Sequence, residues 1–455
     1  MGGSSMEKKN SFTSRIGFIL AAAGSAVGLG NLWRFPYLAA KYGGGMFLLI
    51  YLLIAVTFGF ALMITEVAIG RKTGKSALGA FSELNKKWGF TGVLASLVPC
   101  IIFPYYSVIG GWVVKYLVAF CSGQGKAAAG DTYFTGFISQ TAEPVIWLSV
   151  FLILTAVVVM LGVQKGVEKA SRVLMPVLVV LSVIIAVYSV TREGAIEGVI
   201  YYIKPDFSKF SVSLVFAALG QLFYSMSLAM GIMITYGSYM DKNSDLESSV
   251  RQIEIFDTGI AFISGLIIIP AVFAFSGGDE SVLSSGPSLM FITLPKVFDS
   301  MPFGSVMGAV FFILVLFAAL TSAISLMETI VSFIEEKTSL KRPVICLIVV
   351  IASMILAVPS SLGFGLLESI QILGLSILDF FDFISNNVLM PIVAFLTCIF
   401  VSYVVKVDTV ISEVELSSPF KSKKLYAVVI KYIAPVFILI IFVSSVLKGL
   451  GIIDF

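Results

Sequence analysis

Six residues that break helices or carry polar groups crowd into one apolar run: Gly24, Gly28, Gly30, Asn31, Arg34 and Pro36, in GSAVGLGNLWRFPY, residues 24–37. Glycine lets a backbone leave helical dihedrals cheaply. A broken turn then frees carbonyl oxygens, hard ligands for a small cation, and Asn31 adds a side-chain oxygen to them. The half-helix that resumes beyond the break offers a positive end suited to a carboxylate. Bare peptide groups in hydrocarbon are costly, so such a break survives only where it lines a cavity or binds something. The glycines alone leave another reading open, because Gly24 and Gly28 also form a G-x-x-x-G helix-packing face. Asp257, inside a later apolar run, is the second residue with chemistry to offer. A carboxylate there marks an ion or substrate site, or else a structural partner near the inner face.

The elements that must position these residues are membrane helices. Apolar residues make up 58% of the 455 positions and charged residues only 13%, where about 25% charged is usual. The mean hydropathy is +1.02. Apolar runs of about 20 residues, the length that crosses a ~30 Å hydrocarbon core, recur along the whole chain. Spans are expected at 16–40, 46–70, 92–121, 145–161, 173–190, 212–239, 253–275, 304–334, 344–358, 372–405 and 426–447. The leading MGGSS reads as an appended tag before a native Met6, and residues 7–15 are too polar for a secretory signal. There is no histidine, which excludes H-E-x-x-H zinc chemistry and imidazole proton relays. Cys100, Cys121, Cys346 and Cys398 lack paired spacing and read as packing residues. No nucleophile–base constellation points to an enzyme.

Lys and Arg concentrate in alternate loops: Lys8, Lys9 and Arg15; Arg71, Lys72, Lys75, Lys86 and Lys87; Lys165, Lys169 and Arg172; Lys242 and Arg251; Lys337, Lys341 and Arg342; Lys421, Lys423 and Lys424. The positive-inside rule makes that side cytoplasmic, with the N-terminus inside and the tail GIIDF outside. Two opposite-side connections, 122–144 and 276–303, are long enough to be structured caps over a pathway. The first span is echoed five spans later by AALGQLFYSMSLAMGIMITYGSY, residues 217–239. Five is odd, so the second copy runs the opposite way through the membrane, the mark of an inverted-topology repeat. The chain divides into a tail (1–14), a first repeat (15–200), a second repeat (201–406) and a last span (407–455).

GSAVGLGNLWRFPYLAAKYGGG resembles the first-span signature of the neurotransmitter:sodium symporters, bacterial amino-acid branch. The resemblance continues in ITEVAIGR, PYYSVIGGW, GQLFYSMSLAMG and FAALTSAISL. It implies an all-α polytopic protein of eleven helices with a 5+5 inverted repeat, the LeuT-type fold, and roles for matching residues. One sodium site would take Gly24, Val27, Ala318, Thr321 and Ser322; read alone, the two hydroxyls could equally bond back to their own helix. The other would take Ala26, Asn31, Ser225 and Asp257, touching the substrate carboxylate. Chloride-dependent relatives carry asparagine at the position of Asp257 and serine one turn on, here Ala261. Asp257 is therefore expected both to ligate sodium and to supply the charge that chloride would bring. Monoamine-transporting relatives carry an aspartate where this chain has Gly28, so an amino acid is expected. Its carboxylate would meet sodium, the amides near Gly28 and Gly30, and the hydroxyl of Tyr106, which read blindly is a buried tyrosine needing a partner. Its ammonium would face carbonyls of Ala26, Tyr224 and Ser227. Ile102, Tyr224, Met230, Ser322 and Leu326, with Ser25 and Ser225 near, would hold an uncharged side chain, aromatic first and branched aliphatic second.

The family pairs Arg34 with an acid in the tenth span, here Asp382, as an outer gate, although Arg34 could also snorkel to the interface. Tyr106 and Tyr224 would form the lid, and Glu66 would satisfy loosened amides of the sixth span. Gly166 and Pro176 match the family's device for unwinding the inner end of the fifth span. The expected function is sodium-driven symport by alternating access in the cell membrane, chloride-independent, with two sodium ions, an amino acid and lipid as partners, no nucleic acid, and an oligomer left open. An aliphatic amino acid substrate, or a nutrient sensor on the same fold, is the alternative. An ion channel fits less well, since gates on a closed central site suit occlusion.

Overall fold

The computed structural model describes residues 11–278 and 287–449. Lys8, Lys9, part of the 276–303 connection and the tail GIIDF lie outside the described residues. Among the described residues, nine helices are long and apolar enough to cross a bilayer: Gly45–Thr73, Lys86–Cys121, Glu143–Met160, Val163–Val190, Leu246–Ser276, Gly304–Lys337, Arg342–Leu362, Ile377–Val404 and Lys423–Leu447. The first span is a pair, Arg15–Ala26 and Gly30–Lys41, bent by 52° at its break. The sixth begins as Val212–Ser225, too short to cross alone, and resumes after 226–231 as Ile232–Ser238. These make the eleven passages in chain order.

The two broken spans start alike. Ser14 Oγ accepts the Gly17 N–H at 3.0 Å, and Ser211 Oγ accepts the Leu214 N–H at 3.1 Å. Each serine satisfies a donor that the first helical turn leaves free. A capped helix, a break and a short second helix therefore occur twice.

The fifth span starts ten residues before the expected 173, at Val163, directly after Gly162 with its φ of +87°. Lys165, Lys169 and Arg172 stay exposed on that added stretch. Charge marks where hydrocarbon ends, while a helix ends only where its backbone turns. The tenth span starts later than expected, at Ile377, because Ile372 and Leu375 exchange hydrogen bonds at 3.0 Å in a tight turn.

The third and eighth spans form the centre, with 72% and 78% of their apolar windows buried, whereas the fifth and eleventh are 28% buried. Val173, Val180, Val183, Ile184 and Val187 accordingly point outward on the fifth. The second span and the later half of the sixth cross nearly backbone to backbone. A methyl on Gly70 would lie 1.9 Å from Ile234 O, and one on Gly237 would lie 2.3 Å from Val67 O. Such reciprocal small residues replace a hydrophobic driving force that lipid does not supply.

Both long connections carry helices in their described parts. The 122–144 connection holds helices Gly125–Ala128 and Tyr133–Ile138. The second carries Leu294–Ser300, preceded by a turn that drives Phe291 between Trp112, Tyr116 and Phe134, with ring centroids at 5.8, 5.1 and 5.1 Å. Lys296 of this cap pairs with Asp131 of the first, and that hydrogen bond and charge hold the Asp131 carboxyl below its ordinary range.

At the basic end, residues ahead of the first span are tied to the fifth and sixth spans. Phe12 packs against Phe18, Tyr236 and Tyr239, and its N–H donates to Tyr239 O at 3.1 Å. Glu168, buried on the fifth span, accepts from the Thr13 N–H at 2.8 Å, the Thr13 hydroxyl and Arg172. Glu328 accepts from the Tyr239 hydroxyl at 3.0 Å and pairs with Arg342.

Candidate functional site

The two breaks face each other. The first half-helix ends where Val27 turns to ψ 96°, its N–H still bonded to Ala23 O at 2.7 Å. Beyond that point the carbonyls look elsewhere. Ser25 O accepts from the Ser227 hydroxyl at 2.9 Å and from the Ser322 hydroxyl at 3.0 Å, and Ser322 also reaches Val27 O at 3.5 Å. In the sixth-span break, Ser227 and Ala229 take φ of +52° and +59°. Left-handed backbone on residues with a Cβ costs about 1–3 kcal/mol each and persists only where its surroundings hold it. Glu66 of the second span does so here, accepting the Ala229 N–H at 2.7 Å.

Asp257 is fully buried in the middle of the seventh span and joins three other spans. Its Oδ1 accepts from Asn31 Nδ2 at 2.7 Å and from the Ser225 hydroxyl at 2.7 Å. Its Oδ2 accepts from the Tyr51 hydroxyl at 3.3 Å. Asn31 turns its own oxygen back to the Gly28 N–H at 3.2 Å. One carboxylate, one amide and two hydroxyls thus converge beside the unwound segment, with no Lys or Arg among them. That donor set suits a hard monovalent cation.

A cavity of about 30 Å³ lies between the breaks, lined by Ser25, Ala26, Gly28, Gly30, Ile102, Tyr106, Tyr224, Ser225, Ser227, Met230, Ser322 and Leu326, together with Leu29, Asn31 and Ile232. The Leu29 N–H points to the Tyr106 hydroxyl at 3.5 Å. A second cavity, of about 250 Å³, shares the lining residue Tyr224 with the first and is lined by Arg34, Tyr42, Ser213, Ala217, Asn386 and Ser444 among others.

The model of the sodium:neurotransmitter symporter family matches residues 9–128 and 132–451. The chain belongs to this family. It is 34% identical over 449 residues to YhdH, an uncharacterized sodium-dependent transporter of Bacillus subtilis, covering 97% of this chain and 99% of that one. An uncharacterized sodium-dependent transporter of Haemophilus influenzae is 32% identical over 96% of this chain and 98% of its own. The crystal structure of MhsT in complex with L-phenylalanine superposes with a TM-score of 0.87 at 38% identity, covering 96% of this chain and 99% of that one. The fold is the LeuT fold, and the protein is a sodium-dependent membrane transporter, not an enzyme.

The structure gathers every residue expected to meet substrate around the small cavity. It brings Asn31, Ser225 and Asp257 together with Ala26 beside them. On the facing side a methyl on Gly24 would lie 3.2 Å from Thr321 Cβ, so the first and eighth spans meet where Gly24, Val27, Ala318, Thr321 and Ser322 were expected to converge. Thr321 bonds back to Phe317 O at 3.0 Å and Ala318 O at 3.1 Å, the plainer of its two readings. Three features mark this conformation. Gly24, Gly28 and Gly30 do not adopt left-handed backbone; Gly28 and Gly30 are there for space, since a methyl would lie 2.6 Å from Ser322 Oγ and 2.5 Å from the Tyr224 ring respectively. Arg34 and Asp382 are not an ion pair; the guanidinium lies over the Tyr224 ring, 5.3 Å from its centroid. The fifth span is wound through both Gly166 and Pro176.

Sequence reasoning missed Tyr51, Gln221 and Asn386. Gln221 Nε2 donates to Gly30 O at 2.9 Å, holding the second half of the first span to the sixth. Tyr51 and Gln221 are single polar groups in apolar runs, and Asn386 sits in a short polar cluster with Ser385 and Asn387; none of them announces its partner.

Proposed function

We propose that the chain imports a hydrophobic L-amino acid, aromatic by preference, driven by two sodium ions and without chloride. The Asp257 cluster carries this reading. It supplies a fixed negative charge beside the unwound first span, so a bound sodium needs no mobile anion to balance it. The C-terminal end of Arg15–Ala26 is the negative end of its dipole and favours cations, while the N-terminal end of Gly30–Lys41 favours the substrate carboxylate. Gly28 leaves room for that carboxylate. Ala26, Tyr224 and Ser227 offer carbonyls to the ammonium. The second sodium would sit between Gly24, Val27, Ala318, Thr321 and Ser322. Ile102, Met230 and Leu326 give an apolar wall, in keeping with the L-phenylalanine bound by MhsT.

The orientation that follows from the basic loops is cytoplasmic N-terminus and extracellular C-terminus in the plasma membrane. The bundle of first, second, sixth and seventh spans rocks against the rest around the midplane site. Arg34 and Asp382 close above Tyr106 and Tyr224, and unwinding at Gly166 and Pro176 admits water for inward release. Membrane potential contributes ~2.3 kcal/mol per charge moved across 100 mV.

The small volume between the breaks favours a second reading, a branched aliphatic substrate. Competition of unlabelled amino acids against labelled tyrosine uptake in liposomes distinguishes them. Phenylalanine, tyrosine and tryptophan should compete at least as well as leucine and isoleucine; dominance of leucine would move the assignment to the aliphatic class.

A further inference from the structure

The open gate has a holder. Asp382 stands one turn before Asn386 on the tenth span, and Asn386 Nδ2 donates to Asp382 Oδ1 at 2.7 Å and to the Tyr105 hydroxyl at 3.3 Å. That hydroxyl lies 3.4 Å from Ser385 Oγ and also acts on Asp382 directly, so Asp382 is tied to the third span both by Tyr105 and through Asn386. Arg34, on the other side of the same cavity, is stacked on Tyr224 instead. The Asn386 Oδ1 atom is buried without a partner. Asn386 and Arg34 line the same cavity, and a buried unpaired acceptor on one is a place the guanidinium of the other can fill once it moves.

We infer that Asn386 is the positioning residue that sets when the outer gate closes, holding Asp382 away from Arg34 until Tyr224 moves. This rests on the symporter reading of the site above. Tyr224 is the ring common to the substrate cavity and the gate cavity. Substrate drawing that ring inward carries the stacked guanidinium toward the tenth span. There Arg34 takes over Asp382 from the Nδ2 group and donates to the waiting Oδ1. Asn386 is thus a brake in the empty protein and a third member of the gate in the loaded one.

The test reads the gate without substrate. The full chain, its four cysteines replaced by alanine and a single cysteine introduced by Ala217→Cys in the gate cavity, is placed in liposomes in sodium buffer. Its labelling by a charged methanethiosulfonate is then timed. Asn386→Ala should slow labelling about tenfold, the weight of one lost hydrogen bond to a charged group, because Arg34 then claims Asp382. Adding Asp382→Asn should restore the parent rate. The same Asn386→Ala change should lower both KM and kcat for sodium-driven uptake, which a merely loosened fold would not do. Labelling as fast as the parent, a double variant that stays slow, or a parent that resists the reagent would each overturn the inference. Absence of uptake by the parent would instead defeat the symporter reading and leave the labelling result standing.

Discussion

A methyl at Gly28 would also lie 3.3 Å from the Tyr106 hydroxyl, and one at Gly30 would meet the Tyr224 ring. Gly28→Ala and Gly30→Ala should therefore each weaken sodium-dependent amino acid binding by about 1–3 kcal/mol, the usual cost of overpacking. Equilibrium binding of labelled phenylalanine checks this, and unaltered affinity would refute the assigned close approach. Asp257→Asn should abolish chloride-free uptake or make it depend on chloride; full activity in gluconate buffer would remove Asp257 from the role given to it. Tyr51→Phe removes one hydroxyl from the Asp257 cluster and should raise the sodium concentration for half-maximal uptake several-fold, a loss of about 1 kcal/mol. Asn31 and Asp257 stood out in the sequence because polar groups at membrane depth demand partners, whereas Ser225 entered only through the family resemblance. Tyr51 did not stand out, since a tyrosine in an apolar run looks the same whether its hydroxyl meets an ion cluster or a carbonyl.

The two broken spans set the site, and each has its own support. Glu66 holds the sixth-span break through the Ala229 N–H. Glu66→Ala should strand that buried donor and cost about 1–3 kcal/mol, seen as a lower thermal midpoint in detergent; Glu66→Gln, which keeps an acceptor, should lose less. Arg71 ties the second span to the loop helix Val407–Val414, pairing with Glu413 Oε1 at 2.9 Å, with both side chains buried. Removing one partner of a buried pair leaves a bare charge, so Arg71→Ala should destabilise by about 3–5 kcal/mol. The breaks could be placed from glycine and polar residues in apolar runs, but their physical cause could not. The first depends on glycines for close approach. The second is built at Ser227 and Ala229, whose left-handed backbone no residue type announces. Ends of spans were misplaced wherever charge was taken for a terminus, as at 163–172.

For the whole molecule, a basic end tied by Phe12, Glu168 and Glu328, a small central cavity and a larger cavity beside Tyr224 describe a transporter with its gate unpaired. The order of spans was readable from hydropathy, because lipid imposes one simple rule on every helix. The gate geometry was not, since whether Arg34 meets Asp382 depends on conformation rather than on residue identity. The measurement that bears most directly on the account is uptake of labelled L-phenylalanine into proteoliposomes under an inward sodium gradient with gluconate in place of chloride. Accumulation above the equilibrium level that collapses when the gradient is dissipated is the expected result. Uptake that is equal in potassium, or that requires chloride, would contradict it.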